Sequence, residues 1–394
     1  MNILIINSGS SSIKFQLIEM PSEALICSGL VERIGHKDAS LNYKTNSVSI
    51  QQTDKIRTHK EGLHKIVKLL LDPEKGVIES TNDIKIVGHR VVHGGNSFSN
   101  TTLITAEVKQ DIQKYAALAP LHNPGNLEGI LVAEEVFPLA KQVAVFDTAF
   151  HQTIPEVANK YAIPNNFYEE QGIQVYGFHG TSHQYVSEKA IAYLKLKTSK
   201  IISIHLGNGC SMTAIMDGKS MDHSLGFTPS NGLIMGTRSG DIDHGIIYHL
   251  VNNLAYSMDE VKDLLTNKSG MLGLTGHSDL RDIEAAAEKG NKECILALNM
   301  NAYRIKKYIG AYVAAMNGLD AIIFTAGIGE NSNMIRKLVC AEMDYFGIVL
   351  DEAKNELRSK ELREISSSNS KVKILVIPTN EELEIAKQAF NLLK

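Results

Sequence analysis

Four consecutive apolar residues, Ile3 to Ile6, predict a short buried strand near the start of the chain. A polar segment follows at residues 7–12, where hydroxyl side chains surround a glycine and predict a tight turn. Residues 201–216 repeat the pattern, since an apolar strand again ends in a glycine-rich turn that a second strand leaves. Two such hairpins about half a chain apart indicate an internal duplication, with one phosphate loop in each of two lobes that face each other across a cleft.

The first half alternates between the two periodicities that distinguish strands from helices. The pattern predicts strands at residues 24–34, 41–50, 84–92 and 142–147, and helices at residues 58–71, 107–118 and 126–137. This order is typical of a ribonuclease-H-like unit rather than of a simple doubly wound sheet.

The second half follows a proline-punctuated connector at residues 154–167. The pattern there predicts helices at residues 242–254, 258–266, 291–316 and 380 onward, strands at 321–324 and 372–377, and a turn at 325–331. Thr379 and Glu382 have the spacing of a capping box for the last helix. We therefore predict an α/β fold of two ribonuclease-H-like lobes.

Composition excludes several classes of protein. The 394 residues are 43% hydrophobic and 21% charged, with a formal net charge of −4, which indicates a globular protein with a sizeable core and gives no electrostatic support for binding nucleic acid or an anionic membrane. The four cysteines are scattered, so neither a disulfide framework nor a zinc site is indicated. No leader peptide and no apolar run of about 18 residues stands out. We expect a cytoplasmic protein.

The turn at residues 7–12 is suited to an anion. Small hydroxyl residues around Gly9 leave backbone N–H groups free to face a phosphate, and Lys14 adds a positive charge beyond the turn. An ordinary serine-rich hairpin turn is the alternative, because such turns are common.

Two arginines stand in unusual surroundings. Arg90 lies within an apolar strand that precedes a double glycine, and Arg238 lies on a glycine-flanked loop of the other half. A buried arginine is costly unless it meets an anion, so a ligand role is favoured over a structural ion pair. Two arginines from two lobes could hold a carboxylate and a transferring phosphoryl group.

His179 precedes a helix whose start is marked by a predicted capping box at Thr181 and Gln184. At a helix N-terminus a histidine can donate a hydrogen bond to a developing phosphoryl oxygen. His179 and His183 also have the spacing of a zinc pair, but the glutamate between them and a third ligand are missing, so a metal role is not predicted.

Two carboxylates are candidates for a metal site or for proton transfer. Asp147 ends a strand, where it could hold metal-bound water or simply cap a turn. Glu381 lies in the first turn of the last helix, where it could reach a metal–water cluster or only complement the helix dipole.

Taken together, these segments resemble the acetate kinase (acetokinase) family of the acetate and sugar kinase, Hsc70 and actin superfamily. The resemblance covers essentially the whole chain, and its motifs occur in order: NSGSSSIKF, GHRVVHGG, FDTAFH, YGFHGTSH, HLGNGCS, GFTPSNGLIMGTRSGDID, HSDLRD, FTAGIGEN and PTNEE. It implies two actin-like ATPase lobes with the active site between them. The first would comprise residues 1–150 and 380–394, and the second, nucleotide-binding lobe residues 151–379.

The resemblance also implies a role for each matched position. Asn7 and Glu381 would hold Mg²⁺ (or Mn²⁺); Arg90, Asp147, His179 and Arg238 would be catalytic; and Arg90, Val92, Leu121, Phe178 and Pro229 would bind the acyl substrate. ATP or ADP would contact Lys14, His205, Leu206, Gly207, Asn208, Gly209, Asp279, Leu280, Arg281, Gly327, Ile328, Gly329, Glu330 and Asn331.

The implied reaction is reversible transfer of the ATP γ-phosphoryl group to acetate, giving acetyl phosphate and ADP, by a homodimer. Propionate kinase or another short-chain acyl kinase is the nearest alternative, and Val92 favours acetate because propionate kinases tend to have a smaller residue there. A non-catalytic actin-like ATP-binding scaffold is a remote alternative, since it would have no use for Arg90, His179 and Arg238 together.

Overall fold

The chain forms two compact units in a computed structural model that describes residues 1–120 and 122–394. The first unit comprises Met1–Gln152 and Asn380–Lys394, and the second comprises Thr153–Thr379. Among the described residues, no helix is both long and apolar enough to cross a membrane.

The first unit is built on an eight-stranded sheet. Its strands are β1 (Asn2–Ser8), β2 (Ser12–Glu19), β3 (Ala24–Glu32), β4 (Ala39–Thr45), β5 (Ser49–Asp54), β6 (Ile84–Val91), β7 (Thr102–Leu103) and β8 (Lys141–Phe146). They lie in the order β5-β4-β3-β2-β1-β6-β8-β7, in which β1 pairs antiparallel with β2 and parallel with β6. The apolar run from Ile3 to Ile6 is fully buried because β1 lies inside this sheet.

Three helices of the first unit lie between its strands: α1 (His59–Leu70) between β5 and β6, and α2 (Ala106–Lys114) and α3 (Asn123–Val136) between β7 and β8. The Thr58 hydroxyl caps α1 by accepting a hydrogen bond from the Glu61 amide. The apolar face of α1, including Leu63 and Ile66, is buried as its periodicity predicts.

One predicted strand proved wrong. Residues 41–50 form two strands, β4 and β5, joined by a turn that the Thr45 hydroxyl closes by accepting hydrogen bonds from the amides of Ser47 and Val48. The apolar positions are 41 and 43 before the turn and 48 and 50 after it, so the alternation changes phase across the polar residues 44–47, and the prediction of one continuous strand overlooked this break.

The second unit is built on a six-stranded sheet. Its strands are β9 (Lys200–Leu206), β10 (Cys210–Met216), β11 (Lys219–His223), β12 (Ala321–Thr325), β13 (Arg363–Glu364) and β14 (Lys373–Val376), in the order β11-β10-β9-β12-β14-β13. The five strands β11-β10-β9-β12-β14 match β3-β2-β1-β6-β8 in order and direction, because each sheet places two parallel neighbours beside an antiparallel hairpin. The predicted α/β fold with an internal duplication is confirmed.

Eleven further helices belong to the described part of the second unit: α4 (Glu156–Asn159), α5 (Asn165–Glu169), α6 (Gly180–Leu194), α7 (Gly245–Leu254), α8 (Met258–Asn267), α9 (Gly270–Thr275), α10 (Leu280–Glu288), α11 (Lys292–Met316), α12 (Ala326–Asn331), α13 (Asn333–Cys340) and α14 (Glu352–Glu356). The segment predicted as a turn at residues 325–331 is largely the short helix α12. The box predicted at Thr181 is also wrong, since the N-cap of α6 is His179, two residues earlier.

The last helix, α15 (Glu381–Leu393), belongs to the first unit. Its N-cap is Asn380, which accepts a hydrogen bond from the Leu383 amide, so the capping box predicted at Thr379 is wrong. The helix packs closely on β6 because Gly88 lacks a side chain, and a Cβ atom there would lie 2.9 Å from Ile385. This contact brings the N-terminal turn of α15 to the strand that carries Arg90.

Candidate functional site

Arg90 is the centre of a charged cluster in the first unit. Its Nε and Nη2 atoms donate to the two carboxylate oxygens of Asp147 at 3.2 and 2.5 Å, and Nη1 donates to the side-chain oxygen of Asn7 at 3.3 Å. Glu381 lies 3.7 Å from Nε, and the Arg90 side chain remains one-fifth exposed (20%). The structure thus brings four of the predicted residues together at the carboxyl ends of β1, β6 and β8 and the start of α15.

Burial of this cluster disfavours the ionised form of its carboxyl group at Glu381. The pKa of Glu381 is raised to about 7, chiefly by burial; Arg90 and Lys14 oppose this rise, and the nearby Asp147 and Glu382 add to it. Burial lowers the pKa of Arg90, but Asp147 and Glu381 more than offset this, and the net pKa is raised. Arg90 is therefore always charged. The ionised form of Glu381 is disfavoured, and a cation bound beside it would stabilise that form.

The donor atoms beside Arg90 suit a hard cation. Asn7 and Glu381 offer an amide and a carboxylate oxygen, which are ligands that Mg²⁺ accepts. Among the described residues, no group of three His, Cys, Asp or Glu side chains could hold a metal by itself. The arrangement fits Mg²⁺ held by one or two protein oxygens together with water and substrate phosphates.

The predicted phosphate turn is fixed by its neighbours. The Gly9 amide donates to the Ser12 carbonyl at 2.8 Å, and a His59 ring nitrogen lies 2.7 Å from the Gly9 carbonyl. Lys14, whose side chain is half exposed, pairs with Glu382 at 2.5 Å. In this structure the charge of Lys14 is therefore directed to the first turn of α15.

Asn126 is a buried neighbour of the cluster around Arg90 that no sequence pattern singled out. It is buried on α3, where its side-chain oxygen accepts from the Val92 amide at 3.0 Å and its nitrogen donates to the Ser8 carbonyl at 2.6 Å. It thereby joins the end of β6 to the turn after β1. In the sequence, an asparagine beside a proline and a glycine is typical of a turn. No sequence pattern indicated that its side chain links these two segments.

His179 has a backbone conformation that is rare for a side-chain-bearing residue. Its φ is +55°, in the left-handed region, at the N-cap of α6. A Cβ atom at Gly209 would lie 3.5 Å from the His179 ring and 3.7 Å from an Arg238 guanidinium nitrogen. The turn between β9 and β10 thus passes close to both side chains because Gly209 is small.

Hydrogen bonds also involve Arg238 and the predicted acyl-site residues of the second unit, Pro229 and Phe178. Arg238 donates to the Pro229 carbonyl at 2.9 Å, and burial lowers its pKa. The Phe178 amide donates to a His223 ring nitrogen at 3.1 Å. Leu121, the remaining predicted acyl-site residue, lies outside the described residues.

A cavity of about 680 Å³ in the second unit contains many of the predicted nucleotide-binding residues. It is lined by Gly207, Asn208, Ser278, Asp279, Leu280, Arg281, Glu284, Gly327, Ile328, Asn331, Ser332 and Arg358. Arg281 pairs with Asp279 at 2.5 Å and lowers the pKa of that carboxyl to about 2. His205, Leu206, Gly209, Gly329 and Glu330 do not line this cavity.

A buried arginine that the sequence analysis missed supports one wall of the cavity. Arg336 is fully buried, and its Nη1 atom donates to the carbonyls of Gly329 and Glu330 at 2.8 and 3.0 Å. Its other nitrogens donate to Asn355, at 2.7 Å for the side chain and 2.9 Å for the backbone. These bonds satisfy carbonyls in the last turn of α12, which would otherwise be buried without partners.

Comparison with known proteins identifies close relatives. The model of the acetokinase family matches residues 2–387. An acetate kinase of Flavobacterium johnsoniae is 64% identical over 394 residues, which cover 100% of both chains. An acetate kinase of Thermotoga maritima is 51% identical, with 98% of this chain and 97% of the relative covered.

Two crystal structures share the fold at full length. The acetate kinase of Porphyromonas gingivalis superposes with a TM-score of 0.95 at 44% identity, covering 100% of both chains. A propionate kinase of Francisella tularensis superposes with a TM-score of 0.93 at 42% identity, covering 99% of both chains.

The raised pKa of Glu381 generates a prediction about stability. Because this pKa is about 7 in the folded protein against 4.5 for an ordinary glutamate, the folded state binds more protons between these values and loses stability as the pH rises through them. Glu381→Gln removes this loss. In the absence of metal and nucleotide, the variant should therefore be more stable than the parent above about pH 7, on the order of 2–3 kcal/mol, and not below about pH 5. Thermal unfolding across this pH range measures the difference.

The exposed Glu74, which forms no side-chain ion pair among the described residues, provides the control. Glu74→Gln should not change stability in a pH-dependent way. A difference between Glu381→Gln and the parent that stays constant from pH 5 to pH 8 (about the range in which the group titrates) would contradict the prediction.

Proposed function

The chain belongs to the acetokinase family, and on that premise we propose that it transfers the γ-phosphoryl group of ATP reversibly to the carboxylate of acetate, giving acetyl phosphate and ADP. The observation that carries the proposal is the end of β6, where Arg90, held by Asp147, stands two residues before the buried Val92. A fixed guanidinium beside a small apolar side chain is suited to a short carboxylic acid.

The chemistry requires little from a base, because a carboxylate is already an anionic nucleophile. The barrier lies in bringing it to a polyanionic phosphate and in stabilising the charge of the transferring group. In our proposal Arg90 binds and orients the acid, and Asp147 orients Arg90 through its paired hydrogen bonds. His179 and Arg238 donate hydrogen bonds to the phosphoryl group during transfer.

ATP and a divalent cation complete the proposed site. We assign the nucleotide to the cavity lined by Gly207, Asp279 and Gly327, and its phosphates also to Lys14. Asn7 and Glu381 would hold Mg²⁺, with Mn²⁺ as a substitute. The cation would neutralise phosphate charge when bound. We expect the reaction in the cytoplasm, where ATP is available.

Propionate is the second candidate substrate, and the similarity to a propionate kinase favours testing it. We assign acetate because Val92 fills space that one more carbon would need. Val92 is buried, and its amide is held by Asn126. The position of its backbone is therefore fixed independently of its side chain.

A panel of C1–C4 acids with ATP, assayed by trapping acyl phosphate as hydroxamate, tests the substrate. The parent should prefer acetate, and Val92→Ala should shift kcat/KM towards propionate by about tenfold or more, since one methylene in an apolar pocket is worth roughly 1–3 kcal/mol. The kcat for the preferred acid should change little, because Val92 contacts no reacting atom.

Val91→Ala is the matched control, since Val91 is the neighbouring core residue of β6. It should lower the melting temperature and leave the ratio of the two acids unchanged. If Val92→Ala behaves in the same way, Val92 is a core residue only. If the parent forms no acyl phosphate, the proposed reaction is wrong.

His179→Ala tests the assignment of the transition-state donor. The variant should lose about 10²–10³-fold in kcat, with much smaller changes in the KM values for acetate and ATP, because the donor acts on charge that develops during transfer. His36→Ala, at an exposed histidine, should retain parental kinetics. A folded His179→Ala enzyme with near-parental kcat would rule out this role.

We also propose that the chain acts as a homodimer. Support comes from large exposed apolar side chains concentrated between residues 246 and 303 of the second unit: Ile246, Tyr248, Leu254, Tyr256, Met258, Leu274, Ile295, Leu296, Met300 and Tyr303. An exposed apolar surface of this kind is typical of an interface.

Light scattering tests the dimer. The protein should have about twice the chain mass of 43.2 kDa, and the double variant Leu296→Lys/Tyr303→Lys should approach the mass of one chain because two charges would be desolvated at the interface. Tyr345→Lys, at an exposed tyrosine outside residues 246–303, should not change the mass. A parental mass of one chain would contradict the proposal.

A further inference from the structure

We infer that Ser203, His183 and Ser211 form a hydrogen-bonded relay that fixes the proton of neutral His179 on its Nε2 atom. All three are positioning residues that act through His179. The inference rests on the proposed function, which gives His179 the role of a hydrogen-bond donor.

The relay is a continuous chain of contacts between α6 and the hairpin of β9 and β10. The Ser203 hydroxyl lies 2.8 Å from Nδ1 of His183, and Nε2 of His183 lies 2.7 Å from the Ser211 hydroxyl. The same Ser211 hydroxyl lies 2.9 Å from Nδ1 of His179. Each distance is that of a good hydrogen bond.

Burial requires every polar hydrogen in the relay to find an acceptor. Ser203, His183 and Ser211 are each 0% exposed, so water does not substitute for a missing partner. Among the described residues, the two ring nitrogens are the only partners of the Ser211 hydroxyl. Because a hydroxyl has one proton, it donates to one ring and accepts from the other. The two ring nitrogens that face Ser211 therefore differ in protonation.

Two directions of the relay meet this condition, and Ser203 distinguishes them. In one direction Ser203 donates to Nδ1 of His183, Nε2–H of His183 donates to Ser211, and Ser211 donates to Nδ1 of His179. In the reverse direction Ser203 accepts, and its own proton has no acceptor among the described residues. A buried unsatisfied donor is unfavourable, so the first direction is preferred.

The preferred direction has a consequence for catalysis. Nδ1 of neutral His179 then accepts a hydrogen bond from the Ser211 hydroxyl, and the proton of the ring is consequently on Nε2. This is the tautomer that can donate a hydrogen bond to a phosphoryl oxygen. In the reverse direction the neutral ring would present a lone pair there, which would repel the oxygen.

Other imidazoles surround the relay without interrupting it. The His205 ring stacks on His179 at 4.3 Å and lies 5.9 Å from His183, and the His223 ring lies 5.3 Å from His183 edge to face. Nδ1 of His205 contacts Ser182, and Nδ1 of His223 contacts Thr213. Each of these rings thus contacts a different hydroxyl, and the Arg238 guanidinium lies, like the His179 ring, beside Gly209.

Nitrogen NMR of histidine-labelled protein tests the tautomer without any assay of activity. A long-range ¹H–¹⁵N correlation spectrum distinguishes the protonated from the unprotonated ring nitrogen. His179, assigned by comparison with His179→Ala, should carry its proton on Nε2, and His183 should do the same. A proton on Nδ1 of either ring in the neutral state overturns the inference.

Kinetics of Ser211→Ala tests the functional effect. The variant should lose about 10–100-fold in kcat, as is typical when a partner that orients a functional histidine is removed, with little change in KM. Ser211→Thr, which keeps the hydroxyl, should recover most of the loss. Ser187→Ala is the matched control, because Ser187 is a buried serine of α6 that donates only to the Gln184 carbonyl among the described residues. It should retain the parental kcat.

A double variant separates the relay from the proposed function. In a His179→Ala background, Ser211→Ala should lower kcat no further, because the relay acts only through His179. If His179→Ala has the expected defect but Ser211→Ala resembles Ser187→Ala, or if the two defects multiply, the relay is wrong and the function stands. If the parent makes no acetyl phosphate, the function is wrong, and the spectrum alone decides the tautomer.

Discussion

The hydrogen-bonded pair of Arg90 and Asp147 is the interaction on which the rest of the first unit's site depends. It neutralises one carboxylate and leaves Nη1 to donate to Asn7, while Glu381 lies 3.7 Å from Nε. Removing Asp147 would leave a largely buried arginine without its closest partner, which costs more than the pair itself contributes. The same pair leaves Glu381 with only a longer contact to Arg90, and this surplus of negative charge supports the proposal that a cation binds beside it.

The second unit repeats the hairpin and gives it a different chemistry. In the first unit, β1 ends in a serine-rich turn that follows Asn7. In the second, β9 and β10 bring Ser203 and Ser211 to a buried face, where the histidines of α6 contact them. One backbone arrangement therefore supports an acidic cluster around Arg90 in one unit and a hydrogen-bonded group of imidazoles in the other, because the side chains after each duplicated strand differ.

The sequence predicted the two-sheet fold because hydrophobic periodicity and the repeated hairpin are local patterns, and its resemblance to the acetokinase family is confirmed by the comparisons. It also singled out Arg90, Asp147, Asn7 and Glu381, which the structure brings together, while their roles stay predictions. It did not reveal Asn126, since a link between two segments distant in sequence has no local pattern. For Ser203 and Ser211, the one signal in the sequence was the presence of polar residues within the otherwise apolar strands β9 and β10.

The attachment of α15 to β6 makes the first unit discontinuous in sequence. Its two parts, Met1–Gln152 and Asn380–Lys394, are separated by the entire second unit. During synthesis the N-terminal residues emerge first, so Lys14 and Arg90 are made long before Glu381 and Glu382. Until then β6 lacks the helix that packs over Gly88, and Lys14 lacks its partner. The second unit, being continuous, can fold first, and the acidic part of the site is assembled last.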